Sequence, residues 1–399
     1  MQNGTTGEPP GQAMPEQVMS AQAMSPHALD GVRVVELGTL IAGPFAGRIM
    51  ADFGATVIKV ENPSRPDPMR TWGRVHGTRR SLWWAVQSRN KTSVGLDLKS
   101  EEGSARLRQL LDEADVLIEN FRPGTLERLG FGPDVLWTTN PGLVIARVSG
   151  YGQTGSASHK PGYAAVAEAA SGLRHMNGYP GQPPPRTGIS LGDSVASLYA
   201  VQGIMMALYW RDAAGGGKGQ VVDVSLVESS FSLLEGAAAE YAHSQVVPGP
   251  GGSRLTGIAP SNIYQSSDGK WVVIAANQDT VFRRLAGAME RPELADDPRF
   301  HDHHARGVHQ DELDALIADW AAAREADELG RILDEHNVPT SKVNDIADVF
   351  ADPLFRERDM LVEVSDEEDT VTHPGIVPRL TRTPGSIRWN GPSEVGGTA

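Results

Sequence analysis

Any covalent chemistry in this chain has to proceed without a thiol. Its 399 residues include no cysteine, which removes thiolate nucleophiles, disulfides and Cys-ligated zinc together. No complete Gly-x-Ser-x-Gly elbow presents a serine. His301-Asp302-His303-His304, with His309 close behind, has metal-ligand residue types but no partner at a fixed helical spacing. It reads as a solvated loop, and no metal is expected. Carboxylates remain. Between Gly150 and Gly192 the sole acidic side chain is Glu168, and Asp193 follows at the head of a long apolar segment. Glu168 can face a cleft just after the Gly162-Tyr163 turn, or simply face solvent on its helix. Asp193 can cap the segment behind it, react, or do both. Tyr151 lies in the Ser149-Gly150-Tyr151-Gly152 turn.

Phosphate-binding signatures are missing. A dinucleotide site needs Gly-x-Gly-x-x-Gly after the first strand. The turn here is Gly38-Thr39-Leu40-Ile41-Ala42-Gly43-Pro44, and Pro44 has no amide to donate. There is no Walker loop. With 36 basic against 50 acidic side chains the formal net charge is −14, a poor match for nucleic acid but compatible with a local basic pocket. No basic-then-apolar leader and no run of about 18 apolar residues is evident, so no membrane partner is expected and the expected location is cytoplasmic.

The elements that must position these groups alternate. Val32 to Leu37 reads as a buried strand, Phe45 to Phe53 as a helix closed by Gly54, and Thr56 to Val60 as a second strand. Ser93 to Leu98, Val116 to Ile118, Leu143 to Val148 and Val221 to Val224 continue the strands. Ser100, with Glu101 and Glu102 behind it, caps an intervening helix. Asp193 to Tyr209 reads as a long apolar helix. This alternation predicts an α/β fold with a mostly parallel sheet covered on both faces. Past about residue 245 come a strand at Trp271 to Ala275, three short helices and a strand-like Leu361 to Val364. The Gly-, Pro- and Gln-rich residues 1–27 read as a disordered extension.

Six segments, in order, carry a resemblance. They are Leu29 to Leu37 with Ala42-Gly43-Pro44; Asp52-Phe53-Gly54-Ala55 to Glu61; Asn90-Lys91-Thr92 to Lys99; Asp115 to Asn120-Phe121-Arg122-Pro123-Gly124; Leu129-Gly130; and Ser149-Gly150-Tyr151-Gly152. Together, with Asp268-Gly269 and Val338-Pro339 later, they resemble the class III CoA-transferases, the CaiB/BaiF group that includes formyl-CoA transferase and is related to α-methylacyl-CoA racemase. The resemblance implies an interlocked, ring-like homodimer. Each chain would have a large Rossmann-like parallel-sheet domain (28–225, completed by 346–399) and a smaller α+β domain (226–345). It implies coenzyme A or an acyl-CoA as substrate, with a small carboxylic acid as the second substrate and no permanently bound cofactor. Matching CoA contacts fall on Leu40, Ile41, Asn62, Leu96, Lys99, Asn120, Phe121 and Arg128. Pro248-Gly249-Pro250-Gly251-Gly252 matches the family's closing loop.

The family's nucleophilic aspartate falls on Gly181 here. The related racemases pair a histidine with an aspartate; those positions are Tyr163 and Asp193, and a phenol with a pKa near about 10 is a poor base at neutral pH. Three readings follow. Glu168 or Asp193 supplies the transferase carboxylate; Asp193 is the base of a racemase, isomerase or lyase with Tyr151 orienting the carbonyl; or the chain is a CoA-binding subunit of a hetero-oligomer. Arg186 is a candidate carboxylate anchor.

Overall fold

A computed structural model describes residues 26–73 and 80–396. The reading of residues 1–25 as a disordered extension lies outside the described residues. Strands β1 (Arg33–Glu36), β2 (Thr56–Glu61), β3 (Lys91–Gly95), β4 (Val116–Glu119), β5 (Val144–Ser149) and β6 (Val221–Ser225) form one sheet. Every pairing is parallel, and the order is β3-β2-β1-β4-β5-β6. The order reverses between β1 and β4, so the crevice beyond their carboxyl ends is where an open α/β sheet takes its ligand.

Helices cover both faces. The Ala42–Asp52 and Leu191–Ala213 helices pack on one side, burying Ala46, Met50, Ala196, Ala200 and Ile204 against Val34, Ile118 and Ala146. Leu107 and Leu111 of the Glu101–Asp112 helix pack on the other side against Val35, Leu117 and Ile145. Ser100 caps that helix as expected, accepting from the Gly103 amide at 3.0 Å. The Leu191–Ala213 helix is long and apolar enough, by length and composition, to cross a membrane. The expectation of no such segment is corrected to that extent, although here the helix lies across the sheet. It starts two residues before Asp193. Ser190 is the cap residue, without a side-chain cap bond, and Asp193 sits inside the first turn, so the capping reading of Asp193 falls away.

Charges are buried within the sheet, where parallel strands are usually apolar. Glu36, Lys59 and Lys91 are no more than 1% exposed. Lys59 Nζ donates to Glu36 Oε1 at 3.0 Å and to the Gly38 carbonyl at 2.7 Å, and pairs with Asp67 at 3.0 Å. Lys91 Nζ donates to Glu36 Oε2 at 2.7 Å and to the Pro44 carbonyl at 2.6 Å. Each buried charge therefore has a counter-charge and a hydrogen bond, the condition for tolerating it. Burial foremost pushes Lys91 down to about 8, with Glu36 opposing. The network ties the turn after β1 to β2 and β3.

A second core surrounds an antiparallel sheet of β7 (Ser261–Gln265), β8 (Trp271–Ala275) and β9 (Thr340–Lys342). Phe282, Leu285, Phe300, Leu313, Ile317 and Leu329 fill it. The histidine cluster is partly helical, not all loop: Asp302 caps a His303–Val308 helix, accepting from the Ala305 amide at 2.8 Å. Strands β10 (Leu361–Ser365) and β11 (Thr370–Pro374) form a hairpin. The tail beyond it returns to the large sheet. Trp84 Nε1 donates to the Pro392 carbonyl at 2.7 Å and Arg80 Nη1 to that of Gly391 at 2.8 Å.

Candidate active site

The switch-point crevice is built around Asn120. Its Oδ1 accepts from the Thr39 amide at 2.9 Å and its Nδ2 donates to the Thr39 carbonyl at 2.8 Å, clamping the turn after β1 to the turn after β4. A side chain at Gly38 would put its Cβ 3.0 Å from Asn120 Oδ1, so glycine makes that approach possible. Leu40 adopts a left-handed backbone, φ 65°, which a branched residue takes only when its surroundings impose it. The imposition is visible: its amide donates to both oxygens of Asp67, at 3.2 and 3.1 Å.

A cleft of about 190 Å³ opens above these turns. Thr39, Leu40, Asn120 and Phe121 form one wall; Ser149, Lys160, Gly162 and Tyr163 form another. Arg122 and Lys160 bring positive charge to its mouth. The Ser149 hydroxyl is buried and has no hydrogen-bond partner, an uncompensated desolvation unless a ligand or water meets it.

Of the sequence-predicted contacts, Leu40, Asn120 and Phe121 line this cleft. Ile41 turns its side chain into a cluster with Met69 and Trp84, and its carbonyl already accepts from the Phe45 amide at 2.7 Å. Asn62 and Leu96 lie further along the same edge. Asn62 Nδ2 donates to Asp97 at 3.3 Å, and the Leu96 amide donates to the Glu61 carbonyl at 2.8 Å. Lys99 and Arg128 are exposed, Arg128 donating to Thr125 Oγ1 at 2.8 Å. Lys160, Arg122 and Ser149 are additions. A lysine directly before Pro161-Gly162-Tyr163 was the available signal for the first.

Glu168 and Asp193 come together. Glu168 is buried on the Ala164–Ala170 helix, and its Oε1 accepts from the Gly192 amide at 3.1 Å. The solvent-facing alternative is therefore excluded. Asp193 follows Gly192, and burial, then the charge of Glu168, push its carboxyl up to about 6, with Arg186 pulling the other way. Two crowded carboxylates do not both ionise easily, and such pairs cluster at functional sites. Tyr151 packs against Gly162 at the base of the neighbouring turn.

A second cavity, about 270 Å³, lies beside Glu168 and is lined also by Arg174, Met176, Asn177, Thr187 and Leu191. Gly181 stands on the exposed turn beyond it, φ 76°, with open space around its Cα. The Pro248–Gly252 loop packs there: the Gly252 amide donates to the Gly178 carbonyl at 2.9 Å, and its Cα lies against the Tyr179 ring.

The family described as CoA-transferase family III matches residues 29–396. A succinyl-CoA–D-citramalate CoA-transferase of Chloroflexus aurantiacus is 47% identical over 376 residues, covering 94% of this chain and 93% of that protein. The alpha subunit of a succinyl-CoA–L-malate CoA-transferase from the same organism is 40% identical, covering 91% and 85%. Among solved structures, a CaiB/BaiF family protein from Brucella suis superposes with a TM-score of 0.81 at 33% identity, covering 93% of this chain and 97% of that one.

Proposed function

This chain belongs to CoA-transferase family III, and from that premise we propose that it moves coenzyme A from succinyl-CoA to a short hydroxy-dicarboxylic acid, with Glu168 carrying the acyl group. Transfer of CoA from a thioester to a carboxylic acid is the reaction of its named relatives and is taken as its own. The likeness along nearly the whole chain to the D-citramalate enzyme supports the choice of acids.

In the proposed chemistry a Glu168 oxygen attacks the thioester carbon and the C–S bond breaks. CoA thiolate leaves, and a mixed anhydride remains. The thiolate then attacks the glutamyl carbonyl, its C–O bond breaks, and the donor acid departs as its carboxylate. An acceptor carboxylate repeats both steps in reverse order of bond making. No net proton moves. The Gly192 amide, already on Glu168 Oε1, supports this assignment, because the same oxygen takes up negative charge when the glutamyl carbonyl is attacked. Thr39, Asn120, Arg122 and Lys160 border the space for the CoA arm.

The reading extends to a homodimer in the cytoplasm. Leu198, Met206, Tyr209, Trp210, Phe231 and Val246 are large apolar side chains exposed on this chain, more than a monomer usually leaves uncovered.

A second reading rests on Gly181. With glycine where the family pattern has aspartate, the chain would instead bind CoA as one subunit of a mixed oligomer. One experiment separates the two. The purified chain is given succinyl-CoA with malate or citramalate, CoA esters are followed by chromatography, and the Glu168 peptide is examined for oxygen label from the acid. Exchange by the chain alone, with label in Glu168, is expected. No exchange with any acid until a homologous chain is added would overturn the first reading in favour of the second.

A further inference from the structure

We propose that Arg174 is the specificity-determining residue of this site, holding the second carboxylate of a dicarboxylic substrate in the cavity beside Glu168. The inference rests on the carboxylic-acid reading above. It adds which side chain selects the acid.

The cavity is small. At about 270 Å³ it lies just below the roughly 300 Å³ at which pockets for drug-sized ligands begin. It suits a short acid. Glu168 and Arg174 both line it, and Leu173, Met176 and Leu191 add apolar surface. That is the polarity of a short dicarboxylate: one carboxyl at the reacting glutamate, methylenes on hydrocarbon, one carboxyl on a guanidinium.

Arg174 is positioned and available. Its Nε donates to the Pro184 carbonyl at 3.3 Å, which fixes the direction of the planar group. Asn177 Nδ2 donates to the adjacent Pro185 carbonyl at 3.2 Å, holding the same wall. Among the described residues no carboxylate pairs with Arg174; the ion pairs of the other arginines do not include it. A half-buried guanidinium without a counter-ion, opening on a cavity, is suited to a bidentate carboxylate.

Electrostatics favours a further cation here, beside the Arg186 charge that already acts on Asp193. The cavity wall carries Glu168, with Asp193 close enough to feel its charge. A dianion entering this region meets repulsion unless a positive group faces it. A monocarboxylate places no charge at the far end and has no use for Arg174.

The test compares isotope exchange of succinate into succinyl-CoA with that of butyrate into butyryl-CoA, using wild-type chain and the R174Q and R174K variants. R174Q is expected to lower the succinate-to-butyrate ratio of kcat/KM by about 100-fold or more, with the KM for butyryl-CoA unmoved. R174K is expected to fall between, since an ammonium cannot make the paired contact. An unchanged ratio, or equal loss on both acids, overturns the assignment. Succinate binding measured by calorimetry keeps the two ideas apart. A wild-type chain that exchanges nothing yet loses succinate affinity in R174Q defeats the transferase reading and sustains Arg174; exchange with no effect of R174Q on ratio or affinity does the opposite.

Discussion

The Gly192 amide and Glu168 Oε1 are 3.1 Å apart, and this bond joins the first turn of the longest helix to a carboxylate buried on another. It leaves Oε2 as the oxygen free to attack. Glu168→Gln preserves the shape and an oxygen for Gly192 but removes the nucleophile. CoA exchange is expected to fall by about 1,000-fold or more, with the thermal midpoint little changed. Asp193→Asn is expected to retain more activity than E168Q. The reverse ranking in steady-state assays would move the nucleophile to Asp193.

Asp193 has a second, independent signature. Its carboxyl rises from 3.8 to about 6 on folding, so between those values the folded chain binds more protons at this site than the unfolded chain. The contribution of Asp193 to stability therefore falls as pH rises through that window, by up to about 3 kcal/mol at 1.36 kcal/mol per unit. Asp193→Asn removes the titration. Denaturant melts should show D193N more stable than wild type above pH 7, by about 1–3 kcal/mol, with the difference shrinking toward pH 4. A constant difference across that range would contradict the shift.

Much of the frame was legible from local pattern. Ser100 with Glu101 and Glu102 announced a helix, and the alternation of strands and helices announced a parallel sheet. What escaped was set by distant partners. Lys59 looked like one polar residue in a β-branched strand, yet it meets Glu36, 23 positions earlier, and Lys91 reaches the same carboxylate across 55. The β11 strand, Thr370–Pro374, carries β-branched Thr370-Val371-Thr372 but is only five residues long beside an acidic turn, and its pairing partner is β10. At the site, Glu168 and Asp193 could be named from sequence as isolated acids. Their proximity, and the place of Arg174 beside them, depend on the fold of 173–191.

The buried triad sets a prediction for stability. Lys59→Met leaves Glu36 and Asp67 with one cation fewer in a site closed to water. Removing one partner of such a pair costs about 3–5 kcal/mol, read as a lowered urea midpoint at unchanged slope. The Glu36→Gln, Lys91→Met double variant is expected to cost less than the sum of its singles, because neither leaves the other charged and alone. Additive losses would show that the two residues do not act as a unit.

Ser149 offers the opposite sign. Its hydroxyl is buried at the cleft without a partner, and such a group costs about 1–3 kcal/mol until something bonds it. Ser149→Ala should therefore raise the thermal midpoint of the free protein. If CoA satisfies that hydroxyl, the same variant should bind CoA more weakly, so that the midpoint gain vanishes or reverses when CoA is saturating. A midpoint that drops in the free protein would mean that ordered water already satisfies Ser149; a gain that survives at full CoA occupancy would mean that the ligand does not reach it.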